Sequence, residues 1–143
     1  MPMGFFFIKR RVDPKPFLEN AKILNIDFNT AICLRNIDEV LYILPRLMEN
    51  LLKYIVAKKG GSPMHGIHLD FHLPFLLDMI SGSDDVKRRK EVINKAFVLY
   101  DEMSEHRFSY LSGENPPIDI INLLNIYKSF IGYVEVYLDE KIF

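Results

Sequence analysis

Apolar positions recur at three- and four-residue spacing through most of the chain, which is the periodicity of amphipathic helices rather than of strands. Asp13-Pro14 reads as an N-cap followed by proline at the first helical position, and Phe17, Ala21 and Leu24 follow at helical spacing, predicting a short helix from about 14 to 25. Asn25-Ile26-Asp27-Phe28-Asn29 reads as a break. From Ala31 to Ala57, the positions Ile37, Val40, Leu41, Leu44, Met48, Leu51, Leu52 and Ile55 predict a long helix. Pro45 lies inside that run and predicts a kink, because it removes one backbone donor and crowds the preceding turn. Lys58-Lys59-Gly60-Gly61 supplies cations for the last turn and glycines beyond it, a strong stop.

Ser62–Phe71 reads as a loop, and His72-Leu73-Pro74 opens a short apolar helix, Phe75–Ile80, closed by Ser81-Gly82. Ser83 or Asp84 can cap another long helix with the stripe Val86, Ile93, Ala96, Phe97, Tyr100, Met103, Arg107 and Tyr110. Gly113-Glu114-Asn115-Pro116-Pro117 is a linker. The last helix is expected from about Pro117 to Leu138, with Ile118, Ile121, Leu124, Ile131, Val134 and Leu138 inward. Only the first dozen residues could follow period two, and Phe5–Val12 reads as an extended arm. The expected fold is all-α: an antiparallel bundle of four to five helices over 13–143, preceded by a short N-terminal extended arm over 1–12.

Composition narrows the class without naming a chemistry. At 143 residues with 49% hydrophobic content, the chain is sized for one packed domain and too apolar for disorder. A single cysteine, Cys33, excludes a disulfide scaffold, and its apolar surroundings suggest a buried structural thiol. Met1–Arg11 places its apolar patch before its basic residues, the reverse of a secretory signal, and no run reaches membrane-spanning length, so a cytoplasmic location without membrane contact is expected. The net charge of −1 excludes a general attraction to nucleic acid. It conceals unlike ends, however: Lys9, Arg10, Arg11 and Lys15 crowd one, while Glu114, Asp119, Glu135, Asp139 and Glu140 lie toward the other.

His65, His68 and His72 fall at i, i+3 and i+7, a spacing that on a continuous helix would present three imidazoles to a metal ion. Pro63, Gly66 and Pro74 oppose such a helix, and imidazoles capping helix ends are the plainer reading. Lys87, Arg88, Arg89 and Lys90 form a basic patch near a helix N-terminus, where the macrodipole disfavours cations. With Lys9, Arg10 and Arg11 it could offer a surface to RNA or a phosphorylated ligand; the plainer reading is a solvated helix face. Arg107 and Tyr110 lie on the inward stripe, where a part-buried guanidinium needs a carboxylate or phosphate, and Glu49, Asp101 or Asp119 could supply a structural partner. Lys58-Lys59-Gly60-Gly61-Ser62 lacks the spacing of a phosphate loop.

The order of elements resembles the HEPN family of small helical bundles. The likeness covers about residues 31 to 140: the long helix ending Leu51-Leu52-Lys53-Tyr54-Ile55-Val56-Ala57-Lys58-Lys59-Gly60-Gly61, the Ser62-Pro63 loop, and His72-Leu73-Pro74-Phe75-Leu76-Leu77. Arg107-Phe108-Ser109-Tyr110 then matches an Arg-x-x-Tyr element, followed by a proline loop and a closing helix. Ribonucleases of that family carry Arg-x4–6-His, and no arginine of this chain has a histidine at that distance. The resemblance therefore implies the non-nucleolytic branch: a non-catalytic, toxin–antitoxin-related homodimer without a cofactor, binding a nucleotide or a partner such as a small nucleotidyltransferase. By carry-over Arg107 and Tyr110 are its ligand-binding residues, with His72 a looser match. The alternatives are a metal-dependent enzyme using His65, His68 and His72, and a structural interaction bundle anchored through Phe5, Phe6 and Phe7.

Overall fold

A computed structural model describes residues 12–59, 85–111 and 120–143, and the side chains of 106–111 fall outside that description. Four helices form among the described residues: α1 (Lys15–Cys33), α2 (Ile37–Lys58), α3 (Val86–Leu111) and α4 (Ile120–Leu138). The all-α expectation holds, and no strand occurs among the described residues. The N-terminal arm, the loop at 62–71 and the short helix at 75–80 lie outside them.

Asp13 Oδ1 accepts the Lys15 N–H at 3.0 Å, and the Pro14 carbonyl accepts the Phe17 N–H at 3.1 Å, so the Asp-Pro pair starts α1. The break expected at 25–29 does not occur. Phe28 and Ala31 continue the buried stripe of Phe17 and Ala21, and a turn at 25–29 would expose an aromatic ring that is fully enclosed. The polar residues that suggested a break bond back to the helix: Asn29 Nδ2 to the Asn25 carbonyl at 2.9 Å, Thr30 Oγ1 to the Ile26 carbonyl at 3.0 Å.

The chain actually turns at Leu34-Arg35-Asn36. Arg35 takes φ +52°, its N–H bonds the Ile32 carbonyl at 3.1 Å, and the Asn36 N–H reaches the Ala31 carbonyl at 2.9 Å. This is a Schellman ending with arginine in the left-handed position that glycine usually holds. Asn36 also starts the next helix, its Oδ1 accepting the Glu39 N–H at 3.3 Å. One asparagine thus closes α1 and opens α2, and the short turn makes the two helices antiparallel neighbours.

α2 runs without interruption across Pro45 and stops at Lys58, where its Lys-Lys ending predicted. Every residue from Leu51 to Ala57 is buried, so this half of α2 is enclosed all round rather than on one face. α1 packs along α2, α3 along α4, and α2 also meets α3. The α3/α4 pair is antiparallel: Arg88 meets Val136 at one end, and Glu102 accepts from Asn122 at the other.

The N-cap of α3 is Asp85, whose Oδ1 accepts the Arg88 N–H at 3.1 Å, in place of the expected Ser83 or Asp84. Its inward stripe departs in part from the expected one. Ala96 and Met103 are buried as expected, with Ile93 and Tyr100 packed at the edge of the core, but Val92 and Leu99 are buried in place of Val86 and Phe97, which are exposed. α4 buries Leu123, Tyr127, Phe130, Ile131, Val134 and Tyr137; Ile131 and Val134 were expected inward, while Ile121 is 74% exposed. α4 also ends in a Schellman turn, with Asp139 at φ +54° and the Glu140 N–H on the Glu135 carbonyl at 3.2 Å. The chain then folds back, burying Ile142, whose N–H bonds Glu135 Oε2 at 2.8 Å.

Candidate functional site

Arg107 and Tyr110 fall in the last turn of α3, on one unbroken helix with the buried Met103, and their side chains lie outside the described residues. His65, His68 and His72 also lie outside them, so the metal alternative gains no geometry. No cluster of metal-ligating side chains occurs among the described residues. Glu49, one carboxylate considered for Arg107, pairs with Lys53 at 2.8 Å.

The basic run presents three of its four cations to solvent. Successive helical positions are about 100° apart, and Lys87, Arg88 and Lys90 are exposed while Arg89 is half-buried. Arg88 is held by two partners, its Nε 3.5 Å from Asp85 Oδ2 and its Nη1 donating to the Val136 carbonyl at 3.4 Å. A cation at the start of α3 therefore sits against the C-terminal turn of α4, whose partial negative charge offsets the unfavourable dipole of its own helix.

The same turn of α4 receives the end of α2. Lys59 Nζ lies 4.4 Å from the Tyr137 ring centroid, and Lys58 Nζ lies 3.7 Å from Glu140 Oε1. Tyr54 donates its hydroxyl hydrogen to Glu140 Oε1 at 2.6 Å. Lys58, Lys59 and Arg88 thus gather at one end of the bundle, an arrangement that ties three helix ends together. Burial, then the hydrogen bond and charge of Glu140, raise the Tyr54 phenol well above the ordinary tyrosine range. Burial alone raises Tyr127, which donates to Asn25 Oδ1 at 2.7 Å and packs on Phe28 with ring centroids 4.7 Å apart. Both phenols stay protonated at neutral pH, so they act as fixed donors rather than bases.

Sequence reasoning passed over two further arrangements. Glu49 and Lys53 form an ion pair where the enclosed half of α2 begins, and their i, i+4 spacing is a signal a charge-pattern search would find. The second is a cleft of about 310 Å³ between α1 and α2, lined by Asn20, Ile23, Leu24, Arg46 and Asn50. Only Pro45-Arg46, a proline beside a cation inside a helix, hinted at it. The expected burial of Cys33 is also corrected: the thiol is exposed, because it falls off the Phe28–Ala31 face near the end of α1.

Comparison with protein-family models, with curated proteins and with solved structures finds no match. The class defined by the fold is an all-α helical bundle, with no described helix long and apolar enough to cross a membrane.

Proposed function

We propose that this chain is a non-catalytic, HEPN-like binding module, acting as a homodimer that takes a nucleotide or a nucleotide-handling partner such as a small nucleotidyltransferase. The observation that carries the reading is the continuity of α3 through Leu111, which sets Arg107 and Tyr110 in one helical turn. Positions three apart on a helix are neighbours on its surface, so a guanidinium and a phenol can serve the same ligand, one for phosphate and one for a base or sugar. The missing Arg-x4–6-His pattern supports binding without hydrolysis.

Calorimetric titration with ATP, GTP and their monophosphates, on the native chain and on Arg107→Ala, tests the proposal. Binding by the native chain that falls at least about tenfold in the variant supports it, equivalent to about 1.4 kcal/mol. Equal binding by both, or none by the native chain, removes the nucleotide reading. Sedimentation of the native chain as a monomer at tens of micromolar removes the homodimer.

A further inference from the structure

The cleft between α1 and α2 is built around one guanidinium. Pro45 has no N–H, so the otherwise continuous α2 lacks one backbone hydrogen bond beside the cleft. Arg46 follows it and folds back on that turn: its Nη1 donates to the Tyr42 carbonyl at 2.7 Å, and its Cζ lies 3.6 Å from the Tyr42 ring centroid. A guanidinium fixed by a stacked ring and a carbonyl has lost much of its rotamer freedom before any ligand arrives. Its Nε and Nη2 have no partner among the described residues.

Two amides flank it. Asn50 uses its Nδ2 on the Arg46 carbonyl at 2.8 Å, which leaves Oδ1 as an acceptor, and Asn20 on α1 contributes a whole amide. Ile23 and Leu24 form the apolar wall, and Ile23 is 60% exposed. No acidic side chain lines the cleft. Its volume lies at the low end of small-molecule sites.

We propose that this cleft binds a carboxylate carried on a short apolar body, either a small organic acid or the free C-terminus of a peptide. One guanidinium matches a monoanion in charge and a carboxylate in its forked geometry, whereas no second cation lines the cleft to balance a phosphate dianion. The amides close the hydrogen-bonding edge, and Ile23 and Leu24 cover the body. This site is separate from Arg107 and Tyr110 and does not depend on nucleotide binding.

Two-dimensional NMR titration of the full chain with benzoate, hexanoate, benzamide and inorganic phosphate tests it, together with an acetylated tripeptide ending in leucine, free or amidated. Saturable shifts at Asn20, Ile23, Arg46 and Asn50 are expected with at least one carboxylate probe, and none with benzamide or the amidated peptide. Response to the peptide alone identifies a peptide terminus as the source, and response to the acids alone a small metabolite. Arg46→Lys keeps the charge but loses the fork and is expected to weaken binding at least about tenfold. Asn20→Ala breaks no hydrogen bond among the described residues and is expected to weaken binding several-fold with unchanged melting. Tighter binding of phosphate, equal binding of benzamide, no response to any carboxylate at 10 mM (an about −2.7 kcal/mol threshold on the affinity scale), or indifference to both substitutions would each overturn the proposal.

Discussion

Glu49→Ala is expected to be among the most damaging surface-sparing substitutions in α2. The Lys53 ammonium and Glu49 carboxylate sit 2.8 Å apart with side chains only 10% and 17% exposed; Lys53 lies inside the stretch Leu51 to Ala57, where every residue is buried, and Glu49 just before it. Removing the carboxylate leaves a cation with no other partner among the described residues. Breaking a fully buried pair costs about 3–5 kcal/mol, and an exposed i, i+4 pair is worth about 0.3–0.5 kcal/mol. Residual exposure of both groups places this pair between the two, at about 2–3 kcal/mol. For a chain of this length that corresponds to a fall in Tm of roughly 6–9 °C. Lys53→Met keeps most of the stem and leaves the more exposed partner, so its cost should be about 1–2 kcal/mol. Glu49→Leu combined with Lys53→Met should lie within about 1 kcal/mol of the native chain, because the buried charges disappear together. Urea unfolding followed by helix ellipticity measures all of these. If Glu49→Ala costs less than about 0.5 kcal/mol, or if the double variant costs as much as Glu49→Leu and Lys53→Met added together, the pair is solvated rather than enclosed.

Phe28→Ala should cost about 3–5 kcal/mol in the same assay, since the ring is fully buried; a surface-like loss would restore the break at 25–29. Arg35→Gly should stabilise the chain by about 1 kcal/mol by relieving the left-handed backbone at φ +52°, and a destabilising result would argue against the Schellman turn. The raised Tyr54 and Tyr127 phenols contribute stability that is fully present below the ordinary tyrosine value of 10.0 and lost as pH rises above it, because the unfolded chain ionises first. Urea midpoints measured upward from pH 9 should therefore fall, and fall less steeply when both are phenylalanine. Cys33, being exposed, should react with a thiol reagent in the absence of denaturant; reaction only on unfolding would place it in the core.

The long helices were legible because burial imposes the 3.6-residue period, and α2 shows this most clearly. Two boundaries were not. Asn25, Asp27 and Asn29 have the composition of a turn, but the enclosure of Phe28 and the back-bonds of Asn29 and Thr30 keep α1 helical. The inward face of α3 was legible only in part, because apolar residues occupy two of its faces. Ala96 and Met103 were legible, but packing between α3 and α4 selects Val92 and Leu99 over Val86 and Phe97, and no local rule encodes that choice. The contacts that lock the helices against one another were equally hidden. Tyr54 pairs with Glu140 in the turn beyond α4, and Asn25 on α1 with Tyr127 on α4, and these pairings follow only from how the helices slide against one another. The basic run was visible from its composition, yet the meaning of Arg88 came from the Val136 carbonyl on α4.

Hydrogen–deuterium exchange with and without nucleotide tests the binding proposal most directly, because it reads where the chain responds. Slowed exchange centred on the last turn of α3, lost in Arg107→Ala, is the expected result. Unchanged exchange at residues 104–111 while nucleotide is bound, or protection confined to α1 and α2, would contradict it.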